Sequence, residues 1–188
     1  TETVSGGLRR LSGLDTAKAR LKGIGVEGRA LDAVMQQITD SVQGTSISLD
    51  GAASAAALLM TSGVSAGDEL DAAMSGLINT TAATGASIDE ITPIWQKMAA
   101  TGKVGTEQLN QLAERGVSGL AALAEHFGVT QEKAQEMVSA GEVSFEDLNA
   151  AMTANLGEMA EAVANSMSGM LDNFRTGFAM IGAGALEP

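Results

Sequence analysis

Residues 102–148 read GKVGTEQLNQLAERGVSGLAALAEHFGVTQEKAQEMVSAGEVSFEDL. Their punctuation is that of short helices laid end to end. Thr106 opens a run that stops at Gly116, Ser118 opens one that stops at Gly128, and Thr130 opens one that stops at Gly141. Ser144-Phe-Glu-Asp147 then opens another. A Ser or Thr hydroxyl at a helix start accepts a hydrogen bond from an otherwise unpaired first-turn N–H, and an acidic residue three positions on completes a capping box. Glycine takes the left-handed conformation that ends a helix. Each run carries leucine, alanine or methionine at helical spacing, and none alternates as a strand does.

The same grammar extends towards the N-terminus. Ser87-Ile-Asp-Glu90 opens a run ending at Gly102, with Pro93 inside its first two turns. Proline removes one backbone donor, so it either kinks that helix or moves its start to about Thr92. Leu70, Met74, Leu77 and Ile78 mark a helix ending near Gly85, and an alanine-rich helix starts at Leu49 or Asp50 and ends near Gly63. Leu31, Val34, Met35, Ile38 and Val42 form an amphipathic stripe. Leu8, Leu11, Leu14 and Leu21 form a looser one. Helices of 10 to 18 residues are marginal alone in water, so those between 50 and 143 must pack on one another. Expected core residues are Leu58, Leu59, Leu70, Leu77, Ile91, Ile94, Trp95, Met98, Leu109, Leu112, Leu120, Leu123, Phe127, Met137, Val138 and Phe145.

Towards the C-terminus the pattern changes. From Ser144 to Ile181 there is no proline, and apolar residues fall at Leu148, Met152, Leu156, Met159, Val163, Met167, Met170, Phe174, Phe178 and Ile181. The steps repeat 4-4-3, an eleven-residue period of about 3.67 residues per turn that favours straight or slightly right-handed association. So narrow a stripe is a seam for a neighbouring helix rather than a face for a broad core. Gly157, Gly169 and Gly177 interrupt it at ~1 kcal/mol each against alanine. They either permit close helix approach or mark breaks. The fold class is therefore all-α: a multi-helix subdomain of short helices followed by one long C-terminal helix with this seam. The division is 1–48, helices leading in; 49–143, a compact helical subdomain; 144–188, a long self-association helix.

Composition narrows the function. In 188 residues there are four Phe, one Trp, no Tyr and no Cys, with 23 Gly. Small side chains each bury little area, which favours helices lying flat on each other or on a partner over one compact globule. The net charge of −12 argues against a nucleic-acid surface, which needs clustered Lys and Arg. The basic Arg9-Arg10 pair and the Lys18–Arg29 stretch read as solvated helix faces. The chain starts at Thr1 without signal peptide or 18-residue apolar run and reads as a fragment of something longer.

Four features invite chemistry and are better explained without it. Gly23-Ile-Gly25-Val-Glu-Gly28 spells the dinucleotide string, but a helical pattern precedes it where that site needs a strand. It reads as a helix stop and turn. His126 is the one histidine, with no partner set for zinc or for a triad. The pairs Asp68/Glu69, Asp89/Glu90 and Glu146/Asp147 sit in first helical turns, where negative charge suits the helix dipole. Met159, Met167 and Met170 fall on the seam as packing residues. No catalytic, cofactor or metal residue is assigned.

The strings VQGTSISLDGAASAAALLMTSGVSAGDELDAAM (42–74), ATGASIDEITPIWQKMAATGKVGTEQLNQLAERGVSGLAALAEHFGVTQEKAQEMVSAGEVSFEDLNAAM (83–152) and NSMSGMLDNFRTGFAMIGAG (165–184) resemble the tape-measure domain of tailed-phage or prophage tail tape measure proteins. The most specific element is the gapless run 102–130 with MVSAGEVSFEDL after it. The resemblance covers most of residues 20–188, and Ser118 departs from it where the family often has Pro. It implies a non-enzymatic structural protein that sets tail length during assembly, occupies the tail tube lumen and is released at infection to help genome delivery. The partners it implies are further copies of itself in a helical bundle, with a trimer favoured, the tail tube protein, tail tip or distal tail proteins and tail assembly chaperones. No specific nucleic acid is implied, and the host envelope is a contact at infection. The location is the virion, inside the tail, after the host cytoplasm during assembly. The rival class is a helical protein-interaction or chaperone-like adaptor domain without a virion role. A cell-wall hydrolase, a third class, needs a positioned catalytic set.

Overall fold

A computed structural model of the chain describes residues 15–16 and 18–157. Every regular element among them is a helix: α1 (18–23), α2 (Gly28–Ser41), α3 (Leu49–Thr61), α4 (Asp68–Thr84), α5 (Ile88–Thr101), α6 (Thr106–Ala113), α7 (Gly119–Phe127), α8 (Gln131–Ala140) and α9 (145–157). The protein is all-α. Among the described residues the one extended pairing is an isolated bridge between Lys103 and Ser144. Val104 N donates to Val143 O at 3.0 Å and Phe145 N to Gly102 O at 3.1 Å, so the α5–α6 and α8–α9 connections are tied together.

The helix starts follow the hydroxyl signals closely. Ser48 Oγ accepts from Gly51 N, Ser118 Oγ from Ala121 N and Thr130 Oγ1 from Lys133 N. Ser87 and Glu90 form a capping box. Ser144 and Asp147 do the same with a shorter acid: Ser144 N donates to Asp147 Oδ2 at 2.9 Å and Asp147 N to Ser144 Oγ at 3.1 Å. Thr106 differs from its sequence assignment. The cap of α6 is Gly105, and the Thr106 hydroxyl instead accepts from Gln135 Nε2 of α8. Pro93 neither ends nor delays α5, which begins at Ile88 and contains it. Pro93 and Asp89 are both exposed, so the carbonyl deprived of its usual donor belongs to a residue on the solvent side of the helix.

The helix ends share a second device. At Gly63, φ is +107°, Gly63 N donates to Met60 O, and Val64 N reaches back to Leu59 O at 3.1 Å. At Gly116, φ is +84°, Gly116 N donates to Ala113 O, and Val117 N reaches Leu112 O at 3.0 Å. This pair of bonds is the Schellman motif, which satisfies two orphan carbonyls and turns the next side chain back onto the helix. Val64 and Val117 are buried accordingly. The same pair of bonds closes α1 at Gly25-Val26, α7 at Gly128-Val129 and α8 at Gly141-Glu142. The glycine string 23–28 is thus a helix stop and the turn into α2.

The core is organised around α3. Ala52, Ala53, Ala55, Ala56, Ala57 and Leu59 are buried, and α3 packs on α2, α4 and α5. An alanine helix is thin, so neighbours approach it from several sides and supply the large residues: Leu70, Met74 and Leu77 from α4, Ile91, Trp95 and Met98 from α5. Small side chains here are what lets a compact core close, contrary to the expectation from composition. Leu58, expected inside, is 39% exposed, because it projects from the one uncovered side of α3. Leu120, Phe127 and Met137 are half-buried at the edge, and the other expected core residues are buried. One apolar cluster runs from Leu21 to Leu156, so it draws on all three sequence stretches 1–48, 49–143 and 144–188.

Candidate functional site: a buried polar clasp and the start of the seam

The most constrained polar contact in the fold joins α4, α5 and α9. Trp95, the single tryptophan, is wholly buried, and its Nε1 donates to Asn149 Oδ1 at 2.8 Å. Asn149 is 2% exposed, on the face of α9 that also carries Phe145, Leu148 and Met152. Opposite it stands Gly76 of α4, where a methyl group would lie 2.8 Å from Asn149 Oδ1 and 3.3 Å from its Cα. Glycine there lets α9 approach the α4 backbone, and that approach carries the amide to the indole. A buried donor and acceptor are tolerated because each satisfies the other.

The remaining buried polar side chains satisfy themselves locally. Thr80 Oγ1 donates to Gly76 O, Thr81 Oγ1 to Leu77 O and Thr92 Oγ1 to Ile88 O. Among the described residues no buried side-chain nitrogen or oxygen lacks a partner. None of these groups ionises near neutrality, so the clasp orients helices and moves no protons.

The ionisable groups lie outside it. Asp68, Glu69 and Asp71 occupy the first turn of α4, Asp89 and Glu90 that of α5, and Asp147 caps α9. Glu69 accepts from Ser65 N at 2.9 Å. Each pair is thus occupied by capping or by the helix dipole. Glu132, in the first turn of α8, is held below the usual carboxylate range by its own backbone N–H and by the Thr130 hydroxyl. His126 stands edge-on to Phe127. Exposed ion pairs join Lys97 to Glu107 and Lys133 to Glu136. Among the described residues no group of three or more His, Cys, Asp or Glu is placed to hold a metal, and no helix is long and apolar enough to cross a membrane. An open groove of about 700 Å³ is lined by Ile47, Ile78, Ala82, Ala86, Ile88 and Gly157, and by Asp50 and Asp89.

Of the ten seam residues, Leu148, Met152 and Leu156 are buried in the chain's own core, at 0%, 0% and 6% exposure. Met159, Val163, Met167, Met170, Phe174, Phe178 and Ile181 lie outside the described residues. Gly76 and Asn149 were not singled out in the sequence. The available signal was an asparagine within an otherwise apolar helix face.

Fold and clasp together define an all-helical protein whose buried polar groups serve packing. The chain belongs to the tape measure protein family: a family model described as tape measure protein matches residues 5–184. It is accordingly a phage tail component. No curated protein and no solved structure matches it.

Proposed function

We propose that this chain is a folded station on the ruler of a phage tail: part of a protein that lies in the tail lumen, sets tail length during assembly and leaves at infection to help deliver the genome. The family match across residues 5–184 is the observation that carries this reading. It acts without catalysis. Its partners are further copies of itself, with a trimer favoured, then the tail tube protein, tail tip or distal tail proteins and assembly chaperones, first in the host cytoplasm and then in the virion.

Association between copies is assigned to the 144–188 segment. Leu148, Met152 and Leu156 anchor the helix start in the chain's own core, which leaves the continuation of the 4-4-3 stripe from Met159 to Ile181 for neighbours. The acidic balance keeps the chain off the DNA that later fills the tube; tight duplex binding at physiological salt would contradict this.

The ruler is tested by inserting a continuous Ala/Glu/Lys helix of about 140 residues into the encoding gene, well outside this chain's island. Tails imaged by electron microscopy should lengthen by about 210 Å, at ~1.5 Å per helical residue. Unchanged tails overturn the ruler.

A further inference from the structure

We infer that residues 18–157 stay folded in the assembled tail and count towards its length by their folded span, not by their helical contour. This rests on the ruler reading above. As one continuous helix, about 140 residues would span about 210 Å. A compact domain of that size has a radius of gyration near 14 Å and so a diameter of about 40 Å. The island is a compressed interval on the ruler, with roughly a fifth of the length per residue of a rod.

Three features tie it to the folded form. The first is chemical punctuation. Glycines at positive φ stand at or just beyond the ends of α3, α4, α5, α6, α7 and α8, where the chain leaves one helix for the next. In a rod every one of them would sit in a helix interior, among the worst positions for glycine. Val64 and Val117, which those turns fold inward, would be stranded on the surface.

The second is the range of the contacts. Trp95 and Asn149 are 54 positions apart and share a buried hydrogen bond. In a rod they would stand about 80 Å apart. Gly76 is shaped to meet Asn149 from still further along the chain. Leu21 and Leu156 belong to one apolar cluster.

The third is the make-up of α3. Five of its alanines are buried by α2, α4 and α5. An extended bundle with a narrow seam has no use for a helix covered on most sides. Such a helix serves a compact core.

Two experiments decide the matter. Asn155 Nδ2 donates to Glu125 Oε2 at 2.7 Å between exposed residues 30 positions apart, and the chain has no cysteine of its own. The E125C/N155C pair should cross-link with a short bismaleimide both in the soluble protein and within purified tails. A rod separates the two by about 45 Å, so a link that forms in solution but not in tails overturns the inference.

The second experiment duplicates residues 18–157 in tandem in the encoding gene. The expected gain in tail length is about 40 Å, against about 210 Å for the continuous-helix insertion. If the duplication also adds about 210 Å, the ruler reading stands and the folded interval falls. If the continuous helix itself adds nothing, the ruler reading falls and takes this inference with it. Cross-linking needs no change of length, so it decides the folded state even where a duplicated tail fails to assemble.

Discussion

At the residue scale, Gly76, Trp95 and Asn149 behave as a unit. Asn149→Ala leaves the indole N–H buried without an acceptor, a loss of about 1–3 kcal/mol. Gly76→Ala forces a methyl against Asn149 Oδ1 and Cα, and overpacking of this kind costs about 1–3 kcal/mol. The double variant should lose less than the sum, because removing the amide frees one of the two clashing atoms; a thermal-melt cycle reads the coupling. Strict additivity would dissolve the unit. Glu132 gives a pH prediction. Its carboxyl titrates below its unfolded value, so the stability it lends is present above the unfolded pKa and is lost as pH falls through the folded one. The group is fully exposed, so the effect is small. Thr130→Val removes one of the two hydrogen bonds that hold Glu132 down. An NMR titration should show its pKa move up towards the ordinary carboxylate value, while the lost α8 cap lowers stability by ~1 kcal/mol.

At the element scale, the helix ends carry more information than the helix bodies. The glycine stops were legible because left-handed backbone is cheap only for glycine. The inward turn of the following valine was not, since it depends on two bonds formed only once the helix exists. Gly116→Ala at φ +84° should cost about 1–2 kcal/mol in a urea melt, and Val117→Ser a similar amount. Pro93→Ala restores a donor for the Asp89 carbonyl. It should raise stability by about 1–2 kcal/mol, the helix gain of ~3 kcal/mol being offset by greater freedom of the unfolded chain. A lower melting temperature would show that the ring makes a contact worth more than the bond it removes. Thr106 shows the limit of local grammar: the hydroxyl stands one residue too late to cap α6 and finds Gln135 of α8 instead.

At the scale of the whole molecule, the seam divides into two parts with different consequences. Leu156→Asp places a charge where the chain's own core closes and should lower the stability of the isolated chain by ~3 kcal/mol or more, because an unpaired buried charge has no compensation. Val163→Asp with Met167→Asp should leave its melting temperature unchanged and abolish self-association in analytical ultracentrifugation. Unaltered sedimentation of that variant removes the seam from the proposal. The charge map is uneven as well. No Lys or Arg lies between Arg29 and Lys97, where eight acids stand from Asp32 to Glu90. Self-association should therefore strengthen with added salt over the range in which the Debye length falls below ~10 Å.

The sequence by itself determined the helical class, most helix ends, most large core residues and the family, because capping, left-handed glycine and 3.6-residue periodicity act over a few neighbouring residues. Tertiary structure alone decided which alanines form the centre, that Leu58 faces out, that Leu148, Met152 and Leu156 are used within the chain, and that Trp95 and Asn149 meet across Gly76. Those outcomes depend on which helix packs against which, over separations of tens of residues. Local preference carries no information about them.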